Sequence, residues 1–492
     1  MDRELAETGH LQALLSQLGA ALDNYLNFTH PDALQSGVDW KRQLDRPLPE
    51  RGEGIEAVNR ALIDTLVAHA SAIPNPGFSG YITTGGVTAS TLALTAASVS
   101  SPQRYMLTAF NFVEELSLEW LSQMLGIGHL KGVYSSGGSV ANLVALGGAR
   151  QQAFEGIGID PASEGMTGRG GQRPACLYAS DQCHHTIQRA AGVLGLGRRS
   201  VRIIPSDGSG RMRVEALERA LAEDRAEGRL PVAIVANAGT TNTGAIDPLR
   251  AMGELARAQG VWFHVDGAYG LPGILDPRKS VLYDGLELAD SVIVDPHKWL
   301  GASVGVAATF VRDRDILMRA FTQEPADYLE GSMQRDEPER FDHSLDSFGI
   351  PYFDFGVELS APCRGVVVWS MIREIGVEGF RQRIVRHNDM ALELAEIARA
   401  HPQLELLLEP TLSICCFRFV DERIDDLNAF NQMLLRQLVR ENRFMPTSTR
   451  VGEALAIRPC YIGARHAPEQ VAGLVDEVVR LGNLLLQAGD SG

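Results

Sequence analysis

The chain has 492 residues, of which 45% are hydrophobic and 22% are charged, a composition typical of a soluble globular protein. Its net charge is −16, from 61 Asp and Glu against 45 Lys and Arg. The sequence shows no basic stripe, so a nucleic-acid-binding protein is not expected. A chain of this length is expected to form two or three domains and to bury a sizeable core.

The cysteines and the apolar runs indicate the compartment. Six cysteines form no C-x-x-C pair and no disulfide-like framework, and we interpret them as reduced thiols of a cytoplasmic protein. The first ten residues are charged and lack the apolar stretch of a signal peptide. No apolar run approaches the ~18 residues of a membrane helix, so no membrane association is expected.

The amino-terminal part of the chain is predicted to be helical. Apolar residues repeat at helical spacing over residues 11–26. A connector rich in proline and charge runs from Pro31 to Glu53, and a second helical stretch covers about 55–70. The segment 73–87, IPNPGFSGYITTGGV, is full of turn formers and is predicted to be a loop.

Short apolar runs alternate with helical stretches in the middle of the chain. The predicted strands are Cys176–Ala179, Val201–Ile204, Val232–Ala236, Val261–Val265, Val292–Val294 and Val306–Val311, and the intervening helices include Val214–Glu227 and Leu249–Gln259. This alternation predicts an α/β fold with a largely parallel sheet covered by helices. Such sheets bind ligands at the carboxyl ends of their strands.

The carboxyl-terminal third breaks this pattern. Residues Arg312 to Pro351 are polar and weakly periodic, and a loop of that length is usually a lid or disordered. Two helices, Gly365–Ile375 and Asp389–Ala400, and a strand, Ser413–Val420, then indicate a smaller α+β domain. We therefore expect a helical arm over 1–80, a large domain over 81–350 with a mobile loop at about 320–345, and a small domain over 351–492.

The hexapeptide VDPHKW, residues 294–299, directly follows an apolar strand. A lysine in such apolar surroundings is suited to imine chemistry, because a desolvated amine is more often neutral and nucleophilic. A surface lysine after a strand is the alternative, but Pro296, His297 and Trp299 flank Lys298 and argue against a solvated turn. Lys298 is the candidate nucleophile.

The sequence HVDGAY, residues 264–269, places Asp266 at the end of a buried strand. A carboxylate there is costly unless it meets a cation or a strong donor. A protonated pyridine nitrogen is such a partner, and Gly267 and Ala268 leave room for a flat ring. The alternative is an aspartate that caps the next helix.

Two further motifs follow predicted strands or precede helices. In YSSGGSVANLVAL, residues 134–146, free N–H groups at a helix start could bind phosphate through Gly138 and Ser139, and a simple glycine-rich turn is the alternative. In SDQCHHTIQRA, residues 180–190, His184 or His185 could reach a ligand at the sheet edge. A lone histidine there is more often a structural hydrogen-bonding group.

The order of these motifs resembles the fold-type-I pyridoxal-phosphate enzymes, and the details resemble the group II amino-acid decarboxylases, which include the aromatic-L-amino-acid, glutamate and histidine enzymes. SDQCHH, NAGTTNTG, HVDGAY, ADSVIVDPHKW and ADYLEG appear in the family's order and approximate spacing, between about Pro74 and Phe380. The resemblance implies a mostly parallel sheet of the seven-stranded type, a homodimer, and decarboxylation of an L-amino acid, with an aromatic one as the expected substrate. It implies pyridoxal phosphate as cofactor and no metal.

The resemblance also implies roles for individual residues. Lys298 would carry the cofactor as a Schiff base, Asp266 would pair with the pyridine nitrogen, and Ala268 and His184 would pack on the two ring faces, His184 near the substrate carboxylate. Gly138, Ser139 and His297 would approach the phosphate, and Thr241, Ser291 and Asp295 match cofactor-contact positions. Tyr81 and Thr84 match substrate-side positions, and Tyr328 matches a loop tyrosine that returns a proton to the product, from the neighbouring subunit. The aromatic enzymes have asparagine where this chain has Asp295, and an anion there would repel phosphate.

Other functions remain open at this point. A non-aromatic substrate is one, because Ile82 and Thr83 replace the Phe–Pro pair of the animal aromatic enzymes. An aldehyde-forming relative is expected to have phenylalanine at position 328, so Tyr328 favours simple decarboxylation. An aminotransferase is disfavoured because its carboxyl-terminal arginine signature has no clear match. A non-enzymatic scaffold is disfavoured because Lys298, Asp266 and His184 are all present.

Overall fold

A computed structural model describes residues 10–28, 40–101, 103–104, 109–166, 173–322 and 350–489. Its amino-terminal elements are α1 (Leu11–Tyr25), α2 (Trp40–Leu44), α3 (Ile55–Ala61), a π-helical continuation (Leu62–Val67) and β1 (Phe78–Ser79). The two predicted helices are thus confirmed, with ends within three residues of those expected. Asn59 donates a 2.8 Å hydrogen bond to Gln17 and so ties α3 to α1.

The large sheet has seven strands in the order β2-β8-β7-β6-β5-β3-β4. They are β2 (Lys131–Ser135), β3 (Ala175–Ser180), β4 (Val201–Ile204), β5 (Leu230–Asn237), β6 (Trp262–Asp266), β7 (Ser291–Val294) and β8 (Ala307–Val311). Strand β8 runs antiparallel to both of its neighbours, and the other pairs are parallel. The mostly parallel α/β sheet is confirmed, as are all six predicted strands.

Helices cover both faces of this sheet, as expected for parallel strands joined by crossovers. The helices of the large domain are α4 (Thr88–Ser100), α5 (Ala109–Met124), α6 (Gly138–Glu155), α7 (Thr186–Val193), α8 (Val214–Ala226), α9 (Leu249–Gln259) and α10 (Asp315–Phe321). The predicted ends of α9 are those observed. It stops there because Gly260 takes the left-handed conformation, φ 61°, which costs glycine little. Helix α6 is the most enclosed, since it lies against the centre of the sheet.

The small domain is built on a second sheet of five strands, in the order β1-β11-β12-β10-β9. Its elements are α11 (Gly365–Ala400), β9 (Leu404–Leu408), β10 (Cys416–Phe419), α12 (Leu427–Glu441), β11 (Met445–Val451), β12 (Ala454–Arg458) and α13 (Glu469–Gly489). The helix predicted over 365–375 ends where Gly376 leaves the helical conformation, φ 69°, and a second helix runs on from this kink to Ala400, which includes the stretch predicted over 389–400. The predicted α+β character is confirmed.

Strand β1 connects the amino-terminal part of the chain to the small domain. Phe78 and Ser79 pair in parallel with Met445 and Pro446 of β11. The segment 73–87, expected to be loop throughout, therefore contains a short strand. Its pairing partner lies more than 350 residues away, so no local pattern could indicate it. The result is that residues 80–82 stand where the small domain faces the large sheet.

Among the described residues, no helix combines the length and the apolar composition needed to cross a membrane.

Candidate active site

The carboxyl ends of the central strands meet at one cavity. Asp266 ends β6, His184 follows β3, Thr241 follows β5, and Asp295 and Lys298 follow β7. A cavity of about 1420 Å³ opens there, and its wall includes His184, Thr241 and Lys298. The four motifs singled out in the sequence are therefore brought to one edge of the sheet, as expected for parallel strands.

Lys298 is held in this cavity by an acidic neighbour. Its Nζ lies 3.0 Å from Oδ2 of Asp295, whose side chain is only 2% exposed. The Nε2 atom of His297 lies 3.6 Å from the same oxygen. His297 Nδ1 donates a 2.6 Å hydrogen bond to the Val306 carbonyl, and burial lowers the pKa of this histidine while Asp295 opposes that shift. Asp295 is thus a buried carboxylate with Lys298 as its closest cation.

Asp266 is a buried carboxylate that receives only neutral donors from the described residues. Its Oδ1 accepts from the backbone N–H of Ala268, and its Oδ2 accepts from the side-chain amide of Asn142, both at 3.1 Å. The residue is 7% exposed. Burying such a charge is costly without a cationic partner, and the protonated pyridine nitrogen of pyridoxal phosphate would supply one. On this ground the site fits the cofactor.

The start of α6 offers the phosphate site. A Cβ atom on Gly138 would lie 2.6 Å from Oδ2 of Asp295, and one on Gly137 would lie 3.7 Å from the ring of His297. Glycine at 138 therefore lets the helix start and the end of β7 approach closely. The N–H groups of Gly138 and Ser139 stand in the first turn of the helix, where they have no partner within it and favour an anion. These features also fit the cofactor.

His184 and Ala268 lie on elements around Asp266. His184 Nδ1 lies 2.9 Å from the Thr186 hydroxyl, and its ring centroid lies 4.1 Å from that of His185. Burial lowers the pKa of His184, and the charge of Asp266 opposes that shift. Ala268 is 9% exposed and packs with Ala141 and Ala145 of α6. The predicted contacts of both residues with a cofactor ring remain predictions.

Ser291 is not among the residues that line the cavity, and its predicted contact with the cofactor stays a prediction. It opens β7 at the end of the sheet opposite to Asp295 and is fully buried. Its hydroxyl oxygen lies 2.7 Å from the indole nitrogen of Trp262 and 2.8 Å from Nδ1 of His264. Ser291 and Lys298 both belong to the motif ADSVIVDPHKW, but Ser291 begins strand β7 and Lys298 follows its end, so the length of the strand lies between them. Ser291 therefore belongs to a hydrogen-bond network beneath the site.

The predicted substrate-side residues have different positions. Tyr81 lines the cavity, is 68% exposed and adopts a left-handed backbone conformation, φ 53°. Thr84 is buried, its hydroxyl lies 3.4 Å from the Gly85 carbonyl, and it is not among the residues of the cavity wall. Tyr328 lies outside the described residues, as does most of the loop predicted at about 320–345.

Three residues near the site were missed in the sequence. Asn142 follows Gly138 by one helical turn and so points to the same side of α6, a spacing that could have indicated it. His264 lies two residues before Asp266 on the same face of β6. Arg458 is 3% exposed and donates hydrogen bonds to the carbonyl oxygens of Tyr81, Thr241 and Asn242. It joins the small domain to the cavity wall, and nothing in its local sequence signals this.

Comparison with known proteins agrees with this geometry. Residues 38–420 match the model of the pyridoxal-dependent decarboxylase conserved domain. An aromatic-L-amino-acid decarboxylase of Bacillus atrophaeus is 32% identical over 75% of this chain and 72% of its own. A cysteine sulfinic acid decarboxylase of Mus musculus is 31% identical over 77% of this chain and 74% of its own.

The fold is also that of a solved relative. The crystal structure of Oryza sativa TDC with pyridoxal phosphate and tryptamine superimposes with a TM-score of 0.86, at 23% identity, over 97% of this chain and 99% of that one. At this identity the similarity shows the fold alone. The family is shown by the match to the family model, which covers most of the sequence. The chain belongs to the pyridoxal-dependent decarboxylase family, and it is an amino-acid decarboxylase with pyridoxal phosphate as its cofactor.

Proposed function

We propose that this decarboxylase converts an aromatic L-amino acid to the corresponding amine and carbon dioxide. The observation that carries the proposal is the wall of the cavity beside Lys298 and His184, which includes Phe78, Tyr81 and Ile82. An aromatic ring packs favourably against such side chains. The Bacillus atrophaeus relative, named for aromatic amino acids, supports the same substrate class.

The residues of the site take the following roles in this proposal. Pyridoxal phosphate, linked to Lys298, supplies an electron sink that lets the bond between Cα and the carboxylate break. Asp266 presents its charge to the pyridine nitrogen, and the N–H groups of Gly138 and Ser139 receive the phosphate beside His297. His184 and Ala268 face the ring, and Thr241 and Asp295 border it. Tyr81 and Thr84 stand on the substrate side, and Tyr328 donates the proton that Cα needs.

A second candidate substrate is an acidic amino acid. The side chains of Arg436, Arg440 and Arg458 line the same cavity. Arg458 is committed to carbonyl oxygens, but Arg436 and Arg440 lie on the exposed side of α12 and could bind a second anionic group. The mouse relative named for cysteine sulfinic acid supports this alternative.

A substrate panel separates the two candidates. The protein loaded with cofactor is incubated with tryptophan, tyrosine, dihydroxyphenylalanine and phenylalanine, and separately with cysteine sulfinate, glutamate and aspartate, and carbon dioxide and amine are measured. We expect kcat/KM for the best aromatic substrate to exceed that for every acidic one at least tenfold. The double variant Arg436→Gln/Arg440→Gln should leave the aromatic rate unchanged, as should the control Arg399→Gln, an exposed arginine paired with Glu409. If instead an acidic amino acid has the highest kcat/KM, and the double variant no longer turns it over, the enzyme is specific for acidic substrates.

We propose further that the enzyme is a homodimer. Helix α1 has no buried residue in the single chain, and its Leu11 is 52% exposed. Leu62 and Leu66 in the π-helical segment, and Leu92 and Val99 on α4, are also exposed. Exposed leucines and valines on successive elements are typical of a surface that a second copy covers. The resemblance-based role of Tyr328 in a neighbouring active site needs the same arrangement.

Light scattering at assay concentration tests the dimer. We expect twice the mass of the 53.4 kDa chain for the native protein and a single-chain mass for the double variant Leu66→Glu/Val99→Glu. The matched control is Val281→Glu, at an exposed valine of the large domain that should remain dimeric. A fully active protein of single-chain mass would contradict the proposal.

We also propose that the enzyme is cytoplasmic. All six cysteines are free, and five of them are buried, as in proteins of reducing compartments. Cell fractionation followed by immunodetection of the enzyme tests this, and recovery mainly in a membrane or secreted fraction would contradict it.

A further inference from the structure

Buried side chains form a hydrogen-bond chain that leads away from Asp266 beneath the cavity. Asn142 Nδ2 lies 3.1 Å from Oδ2 of Asp266, and Asn142 Oδ1 lies 2.8 Å from Nε2 of His264. Nδ1 of His264 lies 2.8 Å from the Ser291 hydroxyl, which lies 2.7 Å from the indole nitrogen of Trp262. Each of the four supporting residues is at most 4% exposed, so the chain is shielded from water.

The two ends of this chain fix the direction of every hydrogen bond. The Trp262 indole can only donate, so the Ser291 oxygen accepts from it. Asp266 as a carboxylate can only accept, so the amide of Asn142 must turn its nitrogen toward Asp266 and its oxygen toward His264. His264 then donates from Nε2, and Nδ1 of the neutral ring accepts the hydrogen of the Ser291 hydroxyl. Burial lowers the pKa of His264 to about 4, which keeps this ring neutral with one proton, as the chain requires.

A branch from Asn142 reaches His184. The amide nitrogen of Asn142 also lies 3.3 Å from the Thr186 hydroxyl oxygen, which can accept its second hydrogen. The hydroxyl hydrogen of Thr186 is then free to point to Nδ1 of His184 at 2.9 Å, and the backbone N–H of Thr186 donates to the same nitrogen at 3.4 Å. Nδ1 of His184 is therefore an acceptor, and the proton of the neutral ring is on Nε2.

We propose that Asn142 is a positioning residue that orients the carboxylate of Asp266 and, through Thr186, fixes the tautomer of His184. The Trp262–Ser291–His264 chain holds the Asn142 amide in the required orientation. One amide thus sets both the carboxylate that pairs with the pyridine nitrogen and the histidine that faces the ring in the proposed site. The inference rests on the cofactor site and holds for any amino-acid substrate.

Binding of pyridoxal phosphate to the apo-protein, followed by fluorescence and by absorbance, tests the role of Asn142. Asn142→Leu removes both donated hydrogen bonds at similar volume. We expect its Kd for the cofactor to rise roughly tenfold or more, because a hydrogen bond to a charged group is lost, and the visible absorption of the bound cofactor to shift. The matched control is Asn388→Leu, because Asn388 is equally buried and donates to the carboxylate of Asp276 at 2.9 Å, outside the site.

Two substitutions of His264 test the direction of the chain. Glutamine places an amide nitrogen near the position of Nε2, and asparagine places one near Nδ1. Because the chain needs a donor at Nε2, we expect His264→Gln to keep cofactor affinity within about threefold of native and His264→Asn to lose it as Asn142→Leu does. Equal behaviour of the two variants would overturn the assigned direction.

The branch to His184 is tested separately by Thr186. Thr186→Val removes only the hydroxyl, so we expect an unchanged cofactor Kd and absorbance but a changed pH dependence of kcat/KM. Thr186→Ser should restore the native profile.

The proposal for Asn142 is wrong if Asn142→Leu binds the cofactor as the native protein does, or if Asn388→Leu weakens binding equally. If the substrate is not aromatic, all these cofactor measurements are still expected to hold. Failure of the proposed aromatic specificity can therefore be distinguished from failure of the proposed role of Asn142.

Discussion

Nζ of Lys298 lies 3.0 Å from Oδ2 of Asp295, in a setting where the other carboxylate oxygen, Oδ1, is buried without a hydrogen-bond partner in the described part of the chain. The lysine that is expected to link the cofactor is thus paired with a carboxylate three residues earlier. The same carboxylate stands against Gly138, where the phosphate is expected. Asp295 can therefore affect cofactor binding in two ways, through the amine and through the phosphate.

Asp295→Asn separates these two effects. Asparagine has the same shape but removes the anion that pairs with the Lys298 amine at 3.0 Å, so we expect the apo-protein to take up cofactor severalfold faster at neutral pH. The comparison is made with pyridoxal phosphate and with pyridoxal, which lacks the phosphate. A gain for both aldehydes assigns the effect to Lys298, and a gain for pyridoxal phosphate alone assigns it to repulsion of the phosphate. No gain with either would mean that Asp295 does not limit binding. Asp290→Asn, near the opposite end of β7, is the control.

Lys298→Ala should abolish both the covalent cofactor link and turnover. The chain has only four lysines, Lys41, Lys131, Lys279 and Lys298, which makes the test simple. After reduction with borohydride, peptide mass spectrometry of the native protein should find the cofactor on Lys298 alone. Lys131→Ala, at an exposed lysine, should retain the link. A reducible link that persists in Lys298→Ala would assign the cofactor to another lysine.

Asp266→Asn should retain part of the cofactor and lose most activity. Removing one partner of a buried ion pair costs about 3 kcal/mol, which corresponds to roughly a hundredfold in rate. The neutral amide no longer favours the protonated pyridine nitrogen, so the electron sink weakens. Decarboxylation is measured at saturating cofactor, so that weaker binding does not contribute. An unchanged kcat would show that Asp266 does not act on the ring.

Much of the large domain could be predicted because its strands are short apolar runs between turns. Strand β2, Lys131–Ser135, was missed, since it opens with a lysine and a glycine and merges with the glycine-rich motif that follows. Strand β1 was missed because its pairing with β11 depends on the tertiary fold. Local sequence determines a strand by composition, but its partner is fixed by packing between distant segments.

The position of a candidate residue at the edge of the sheet could be predicted where a motif follows a strand, as for Lys298, Asp266 and His184. A residue of the site could not be predicted where its contacts run across the sheet or between domains. Ser291 was predicted to contact the cofactor because it lies in a family-like motif; in the structure it opens β7, and its hydroxyl lies 2.8 Å from Nδ1 of His264. Arg458 was missed for a related reason, because its partners are carbonyl oxygens of loops far away in sequence.

Acid should destabilise the protein through buried neutral histidines. Burial lowers the pKa of His466 to about 4, and its Nε2 donates to the Phe78 carbonyl. In the unfolded chain a histidine titrates near 6.5, so between about pH 6.5 and 4 the unfolded state binds a proton that the folded state does not. Each pH unit in that window removes roughly 1.4 kcal/mol of unfolding free energy per such histidine.

His466→Gln tests this contribution, because glutamine can keep the donor to Phe78 without titrating. Urea unfolding of the apo-protein is measured at pH 8, 7, 6 and 5. We expect the variant to lose less stability than the native protein between pH 6 and 5, and to show no such advantage between pH 8 and 7. Parallel curves for the two proteins across the acid range would mean that His466 does not contribute to the acid sensitivity.

Tyr328→Phe tests the source of the proton that the product receives. The prediction rests on the resemblance of ADYLEG to the family's loop, since Tyr328 lies outside the described residues. After carbon dioxide leaves, Cα needs a proton, and a phenol with an ordinary pKa of about 10 is an adequate donor when held beside a strong base away from water. Loss of one hydroxyl should leave cofactor Kd and substrate KM within about threefold of native while amine formation slows roughly a hundredfold.

The products of that variant, under air and under argon, carry the decisive information. Without its proton donor the site should divert part of the substrate to oxygen, so that one amino acid, one O₂ and one water give aldehyde, carbon dioxide, ammonia and hydrogen peroxide. Argon should suppress the aldehyde and leave slow amine formation. Tyr81→Phe is the matched control, because it removes a phenol that lines the cavity but is not assigned to proton transfer, and it should make amine without aldehyde. If Tyr328→Phe makes amine at the native rate with no aldehyde in air, the proton comes from another group.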